Sequence, residues 1–344
     1  MKRLISSVLI LCLLSFFTCS CVDEVTTETP STISETLEEE AIITVVSSEE
    51  KPTILPDPTY TKMTAIPTDT VDAFDMTLNG EGVSAVWWWD GGKTSKSQRG
   101  EYLDFLEKNC INEIYLCWPN FSESALASFV LSAGERGIKV SLLSGDASWI
   151  YPDNKGENTV VSEFLEYQKN ATPEAKLSSL HLDVEPHQLE AFYEERDVIL
   201  QYYADFVLSV SGTIRDAGEC IEWDIPFWFD GFMVKNENMQ DEEILELLAR
   251  NSDTLCMMSY RDSAAAVLEC VEREMELSKK YGCRIVLGVE THSSEGDHVS
   301  FAEEGKENMY RECEKIYDEL SKKFEKEKFG IAIHYLDTWY KLKD

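Results

Sequence analysis

From Gly80 to the C-terminus the chain alternates between two hydrophobic patterns, and that alternation limits the folds open to it. Short apolar runs rich in β-branched and aromatic residues read as strands, and longer stretches with apolar residues at helical spacing separate them. The strand runs are GVSAVWWW (82–89), NEIYLCW (112–118), IKVSLLS (138–144), SLHLDVEPH (179–187), CIEWDIPFWF (220–229), DTLCMMSY (253–260), RIVLGVE (284–290) and FGIAIHYLD (329–337). Helices are expected over about 99–109, 123–136, 160–168, 189–217, 241–249, 264–281 and 303–326. Gly218 and Gly282 stand at two of the expected C-termini, where a left-handed residue closes a helix. Alternation of this kind implies parallel strands joined by right-handed crossovers. Eight strands in about 260 residues match a (β/α)8 barrel, for which ~250 residues is typical. A doubly wound open sheet would want a Gly-rich phosphate turn after its first strand. Asp90-Gly91-Gly92 follows the tryptophans instead, without a GxGxxG pattern. The expected fold is α/β, a (β/α)8 TIM barrel over residues 80–344.

Two segments precede it. Lys2 and Arg3 lead into LISSVLILCLLSFF and then TCSC. That is a charged n-region followed by an apolar h-region of signal-peptide length, too short for a membrane span. Ser20-Cys21 resembles a bacterial lipoprotein processing site, with Thr18 where Leu is usual. Residues 1–20 are therefore expected to be a signal peptide and Cys21 the lipidated residue, tethering the chain to the outer face of a membrane. Residues 21–79 are rich in Thr, Ser, Glu and Pro and keep no period. Such a segment cannot bury enough apolar surface to offset its ordering entropy, so a disordered tether is expected.

The formal net charge is −33. Phosphate backbones need a basic surface, so this balance argues against a nucleic-acid partner. Seven cysteines follow the N-terminal segment, an odd number without a CxxC pair. Cys117, Cys256 and Cys283 read as small buried hydrophobes rather than as a disulfide frame or zinc site. No cofactor is expected.

Within SLHLDVEPH, His181, Asp183 and Glu185 fall on one face and Leu180, Leu182 and Val184 on the other. In a barrel, the site is built at the C-terminal strand ends. Read end by end, these supply Trp87–Trp89 with Asp90, then Trp118, then Asp146 with Trp149. The fourth end supplies Asp183 and Glu185, the fifth Asp224 and Trp228, and the sixth Tyr260 and Asp262. Glu290 with His292, and His334 with Asp337 and Trp339, complete the ring. Indoles stack on the apolar faces of sugar rings, and carboxylates bind hydroxyls or do acid–base work. Trp88, Trp118, Asp146, His181, Asp224, Trp228, His334 and Trp339 are thus candidates for binding an oligo- or polysaccharide.

The Asp183-Val184-Glu185 run and MMSYRD (257–262) resemble the chitinase-like glycoside hydrolases of family 18. That family carries DxxDxDxE on strand four and a Met-x-Tyr-Asp-like run on strand six. The resemblance implies that Glu185 is the general acid and that Asp183 orients a substrate acetamido group acting as internal nucleophile. It also implies that Tyr260 holds that group. The first two Asp positions of the motif are Ser178 and His181 here. A second resemblance is to the retaining clan with catalytic carboxylates on strands four and seven. There Glu185, followed by Pro186, would be acid/base and Glu290 the nucleophile, with Val184 where Asn is usual. Covalent retention wants the two carboxyls ~5–5.5 Å apart. Both resemblances imply a glycosidase, and the N-terminal segment makes the expected enzyme extracytoplasmic and lipid-anchored. Two alternatives stay open: a surface lipoprotein that binds glycans without turnover, and a metal-dependent barrel hydrolase using His181, Asp183, Glu185 and His334.

Overall fold

The computed structural model describes residues 82–118, 124–154, 156–293 and 298–344. The expected signal peptide, the tether and Cys21 lie outside the described residues. No helix among the described residues is long and apolar enough to cross a membrane.

Eight strands form the expected closed barrel. They are β1 (Val83–Trp88), β2 (Glu113–Cys117), β3 (Lys139–Ser144) and β4 (Leu180–Leu182). Then come β5 (Ile221–Pro226), β6 (Thr254–Met258), β7 (Arg284–Glu290) and β8 (Phe329–His334). Each pairs in parallel with its sequence neighbours, and β8 closes on β1. The alternation of side chains sorts apolar residues into two cores. Val83, Ala85, Trp87, Tyr115, Leu143, Cys256, Val286 and Ala332 fill the barrel interior. Val86, Trp88, Leu116, Leu180, Leu182 and Trp223 face outward and pack under the helices.

Several boundaries differ from expectation. The helix anticipated over 189–217 begins only at Arg196 and runs to Asp216 as α4. Residues Pro186–Gln188 and Glu190–Tyr193 wind as 3₁₀ turns instead. The proline opens the first turn, and buried Phe192 keeps a helix-like apolar spacing without a continuous helix. The helix anticipated over 264–281 is two helices, Ala264–Cys270 and Glu272–Tyr281, broken at Val271. Asp241–Glu243, expected to begin a helix, pairs antiparallel with Met233–Lys235, forming a ribbon absent from the sequence-based reading. The helix Ile244–Arg250 follows it.

Candidate active site

Strand β4 stops at Leu182, so Asp183 and Glu185 stand on the chain's exit from the barrel rather than within the strand. Their parity nevertheless holds: Leu180, Leu182 and Val184 lie in the outer core, while His181 points into the barrel. The Asp183 N–H donates to the Ser144 carbonyl at 3.0 Å, continuing the β3–β4 register one residue further. Gly145 permits this approach, because a Cβ there would collide with the Asp183 carbonyl. Beyond Pro186 the chain folds back over Glu185. His187 Nε2 lies 3.1 Å from Glu185 Oε2, and Gln188 Nε2 donates to Oε1. Only 13% of the Glu185 side chain is exposed. Asp183 Oδ1 is buried without a hydrogen-bond partner. Burial, then the charges of Glu185 and Asp224, push the Asp183 pKa well above the usual carboxylate range, against the pull of His181.

Below this pair a column of polar side chains runs down the barrel axis. His181 is fully buried. Its Nδ1 is 3.0 Å from Glu222 Oε2, and its Nε2 is 2.9 Å from Asp224 Oδ2. The first contact is an aligned hydrogen bond. The second is a close ion-pair contact whose geometry is too bent to count as one, which leaves Nε2 without a formal partner. The Trp87 indole N–H donates to the same Asp224 Oδ2 at 3.1 Å, and Tyr115 covers the imidazole at a ring separation of 4.0 Å. Burial opposes a charge on His181, but Asp224 and Glu222 overcome it and push its pKa up to about 10. Burial likewise opposes ionisation of Glu222. The hydrogen bond and charge of His181, with Arg284, outweigh that and hold its pKa low. At the floor, Arg284 lies 3.5 Å from Glu222 and 3.7 Å from Glu113.

A second cluster occupies the β7–β8 side of the mouth. Glu290 accepts from the N–H groups of Thr291 and His292, each at 2.7 Å, and its other oxygen faces His334 Nδ1 at 2.7 Å. The Trp89 indole N–H donates to His334 Nε2 at 3.1 Å. Burial lowers the His334 pKa, and the Glu290 charge outweighs it, for a net rise. A proton on Nε2 would confront the Trp89 N–H, so this geometry holds the singly protonated ring, with its proton on Nδ1. Tyr260 stacks on His334 at 5.3 Å. Its pKa is well above normal because of burial and then the charges of Glu290, Asp224, Asp183 and Glu185, which places it among all four carboxyls. Gly288 makes room there, since a Cβ would come within 3.0 Å of the Tyr260 ring and 3.3 Å of Trp87.

The structure therefore brings Asp183, Glu185, Tyr260, Asp224, His181, Glu290 and His334 to one end of the barrel. It does not bring three of the four nominated tryptophans there. Trp88 faces the helix layer, edge-on to Tyr102 and Phe129. Trp118 packs on Phe129 under the Arg99 guanidinium. Trp339 is buried against Phe105 and donates to the Tyr310 hydroxyl. None of these three indoles is open to a ligand, for each is at most 3% exposed. Asp146 is exposed and caps a 3₁₀ turn through the Ser148 N–H. Trp228 does stand on the rim, 36% exposed and edge-on to His187. The inward tryptophans of the WWW run are Trp87 and Trp89. Strand parity counted from Val83 would have selected them. Nothing local marks His187, Gln188, Tyr115 or Glu222, whose partners come from the turn after β4 or from other strands.

The metal set anticipated from sequence is not assembled either. His334 has both nitrogens engaged by Glu290 and Trp89, away from His181. Among the described residues one group, His181, Asp224 and Cys256, has donor atoms within 4.8 Å of one another. Most of its donor atoms are engaged within the barrel, although His181 Nε2 and Asp224 Oδ1 have no hydrogen-bond partner. His181 sits between Glu222 and Asp224, Asp224 holds the Trp87 indole, and the Cys256 thiol donates to the Tyr115 hydroxyl at 3.3 Å.

No protein-family model matches the chain, and no curated protein matches its sequence. Solved structures with a similar backbone course include chitinases, among them a family 18 chitinase from Cycas revoluta. A class V chitinase mutant from Cycas revoluta in complex with (GlcNAc)3 is 10% identical over 75% of this chain and 96% of that one, with a TM-score of 0.44. The spore cortex-lytic enzyme of Bacillus megaterium is 10% identical over 76% and 74%, with a TM-score of 0.46. A Rhizomucor miehei β-1,3-glucanosyltransferase mutant in complex with laminaritriose is 11% identical over 73% and 86%, with a TM-score of 0.45. Likeness at this level concerns the course of the backbone and does not reach the roles of individual residues. The chain has a closed, eight-stranded parallel (β/α)8 barrel fold.

Proposed function

We propose that this protein is a glycoside hydrolase in which Glu185 is the general acid and Asp183 its assistant. The supporting observation is the pair at the barrel mouth. Glu185 is sheltered under His187, and two residues away Asp183 carries a buried oxygen with no partner. A sheltered carboxyl at that place can protonate the oxygen of a leaving sugar. The unpartnered Asp183 suits a substrate N–H or O–H that would satisfy it, and the 2-acetamido group of an N-acetylhexosamine offers an N–H. In that route the acetamido carbonyl oxygen attacks the anomeric carbon as Glu185 gives its proton to the departing oxygen. Asp183 and Tyr260 hold the acetamido group, and Glu185 then takes a proton from the incoming water. The configuration is retained. Glu290 is a poorer nucleophile than the strand-seven resemblance implies, because both its oxygens are engaged.

One observation favours binding without turnover: both Glu185 oxygens contact His187 or Gln188, so proton delivery requires those contacts to open. Reducing-end release from a panel of β-linked glycans, for wild type, Glu185→Gln and Asp183→Asn, tests the proposal. Turnover of 2-acetamido sugars lost in both variants supports it. Glycan binding with no reducing ends released establishes the binding module instead. We further propose that the protein is extracytoplasmic and lipid-anchored through Cys21, leaving the barrel on a tether at a bacterial membrane's outer face. Fatty-acid labelling of wild type but not of Cys21→Ala is the expected result.

A further inference from the structure

We propose that His181 is an imidazolium buried inside the barrel, a positioning residue that bridges the Asp224 and Glu222 carboxylates and confines the proton of Asp183 to the mouth. The geometry carries this. Both ring nitrogens lie about a hydrogen-bond length from a carboxylate oxygen, at 3.0 and 2.9 Å. A neutral imidazole has one N–H and one lone pair, and that lone pair would face a carboxylate oxygen in a site without water access. Only the doubly protonated ring meets both neighbours favourably, even with the Asp224 contact bent. Tyr115 covers the ring and Trp87 stands edge-on to it, 6.4 Å away.

The charged groups of every element around the ring fit the same assignment. From β5 come Glu222 and Asp224; from β2, Glu113 and Tyr115; from β6, Cys256; from β7, Arg284; from β4 itself, Asp183. Two cations, His181 and Arg284, meet two carboxylates, Glu222 and Asp224. The two carboxyls in excess, Glu113 and Asp183, are the ones that burial and neighbouring charge push toward their protonated forms. A buried column with uncompensated charge would be costly, and this distribution leaves none. It also sets a direction. Below Asp183, His181 already carries both its protons and Asp224 is held by His181 and Trp87. The Asp183 proton can therefore pass only toward Glu185 or a ligand. The consequence for turnover rests on the glycosidase reading; the charge state of His181 does not.

Histidine-selective ¹⁵N labelling of the full chain separates the two. The five histidines give distinct ring patterns for the neutral and doubly protonated states. One ring, fully buried, is expected to stay doubly protonated at least ~2 pH units above the ordinary ~6.5. In Asp224→Asn that midpoint falls by at least ~1 pH unit while in Glu290→Gln it holds, which assigns the signal to His181 rather than His334 without removing either ring. Five neutral rings in wild type at pH 8 would overturn the proposal. So would one equivalent of zinc in the purified protein that Cys256→Ser loses, since a metal-bound nitrogen carries no proton. Should the chain turn over a glycan, its pH–rate profile is expected to show no step from a free imidazole near pH ~6.5. Such a step lost in Asp224→Asn would overturn the positioning role. Absence of turnover with the NMR pattern intact would sink the glycosidase reading and leave the imidazolium standing.

Discussion

Glu185 and Glu290 both stand at the C-terminal ends of barrel strands, yet their surroundings differ. Glu185 meets side chains from the following turn that can swing away. Glu290 holds two backbone N–H groups and His334, contacts built into the loop itself. If Glu185 is the general acid proposed above, Glu185→Gln is expected to lower turnover by ~10²–10⁴-fold while leaving glycan affinity within a few-fold. Glu290→Gln keeps the shape of the side chain but weakens charge-assisted bonds worth about 1.5–3 kcal/mol each. Chemical denaturation should show it destabilised by about 2 kcal/mol or more, and added azide should restore no activity. Azide rescue would instead make Glu290 the nucleophile. The acid pair was legible in the sequence because period-two alternation marks a face directly. The commitment of Glu290 was not, since its partners sit on its own following loop and on β8.

At the scale of elements, parity decides which aromatic residues serve the site. Trp88 and its neighbours Trp87 and Trp89 are chemically identical, but the pleat sends Trp88 to the helices and the others inward. Trp88→Ala should cost about 3–5 kcal/mol as a core cavity. Trp89→Phe should cost little stability but release His334 from its indole donor, visible as a change in that ring's tautomer by ¹⁵N NMR. The helix Glu272–Tyr281 carries a second element-scale feature. Glu274 is fully buried beside the Asp230 carboxyl. Burial, then Asp230 beside it, pushes its pKa up to about 8. A carboxyl raised on folding contributes stability that is whole below its unfolded pKa and is lost as pH rises through the folded one. Between pH ~4.5 and ~8 this group alone should remove up to ~1.4 kcal/mol per pH unit. Glu274→Gln is therefore expected to flatten the fall of Tm toward pH 8 in calorimetry and to change little at pH 4. An unchanged alkaline slope would place the carboxyl in contact with water.

For the whole molecule, the net charge of −33 makes self-repulsion a global term. Screening it should raise Tm as sodium chloride goes from about 10 mM to 300 mM, where the Debye length shrinks well below the ~30 Å of dilute buffer. A flat or falling Tm would mean that local ion pairs outweigh the repulsion. Alkaline pH adds to the same strain, because burial and Glu222 push the Glu113 pKa up to about 7, and Asp224 and Glu222 push that of His181 up to about 10 against burial. Both groups have raised folded-state pKa values, so their contributions are present at low pH and fade as pH passes those values.

The order of strands and helices, the closure into eight and the inward face of His181, Asp183 and Glu185 were all determined by local sequence. Each rests on spacing between near neighbours, which the pleat and the helical turn translate directly into direction. Boundaries near Pro186, Val271 and the 233–243 ribbon escaped because apolar spacing alone does not separate a 3₁₀ turn or a short hairpin from a helix. What only the tertiary structure decided were pairings across the barrel. Trp89 meets His334 across 245 positions, and His181 meets Glu222 across 41. Sequence announces that such groups exist. Which carboxylate is committed, which is free and which histidine is charged follow from strand register and burial, quantities that arise only when the barrel closes.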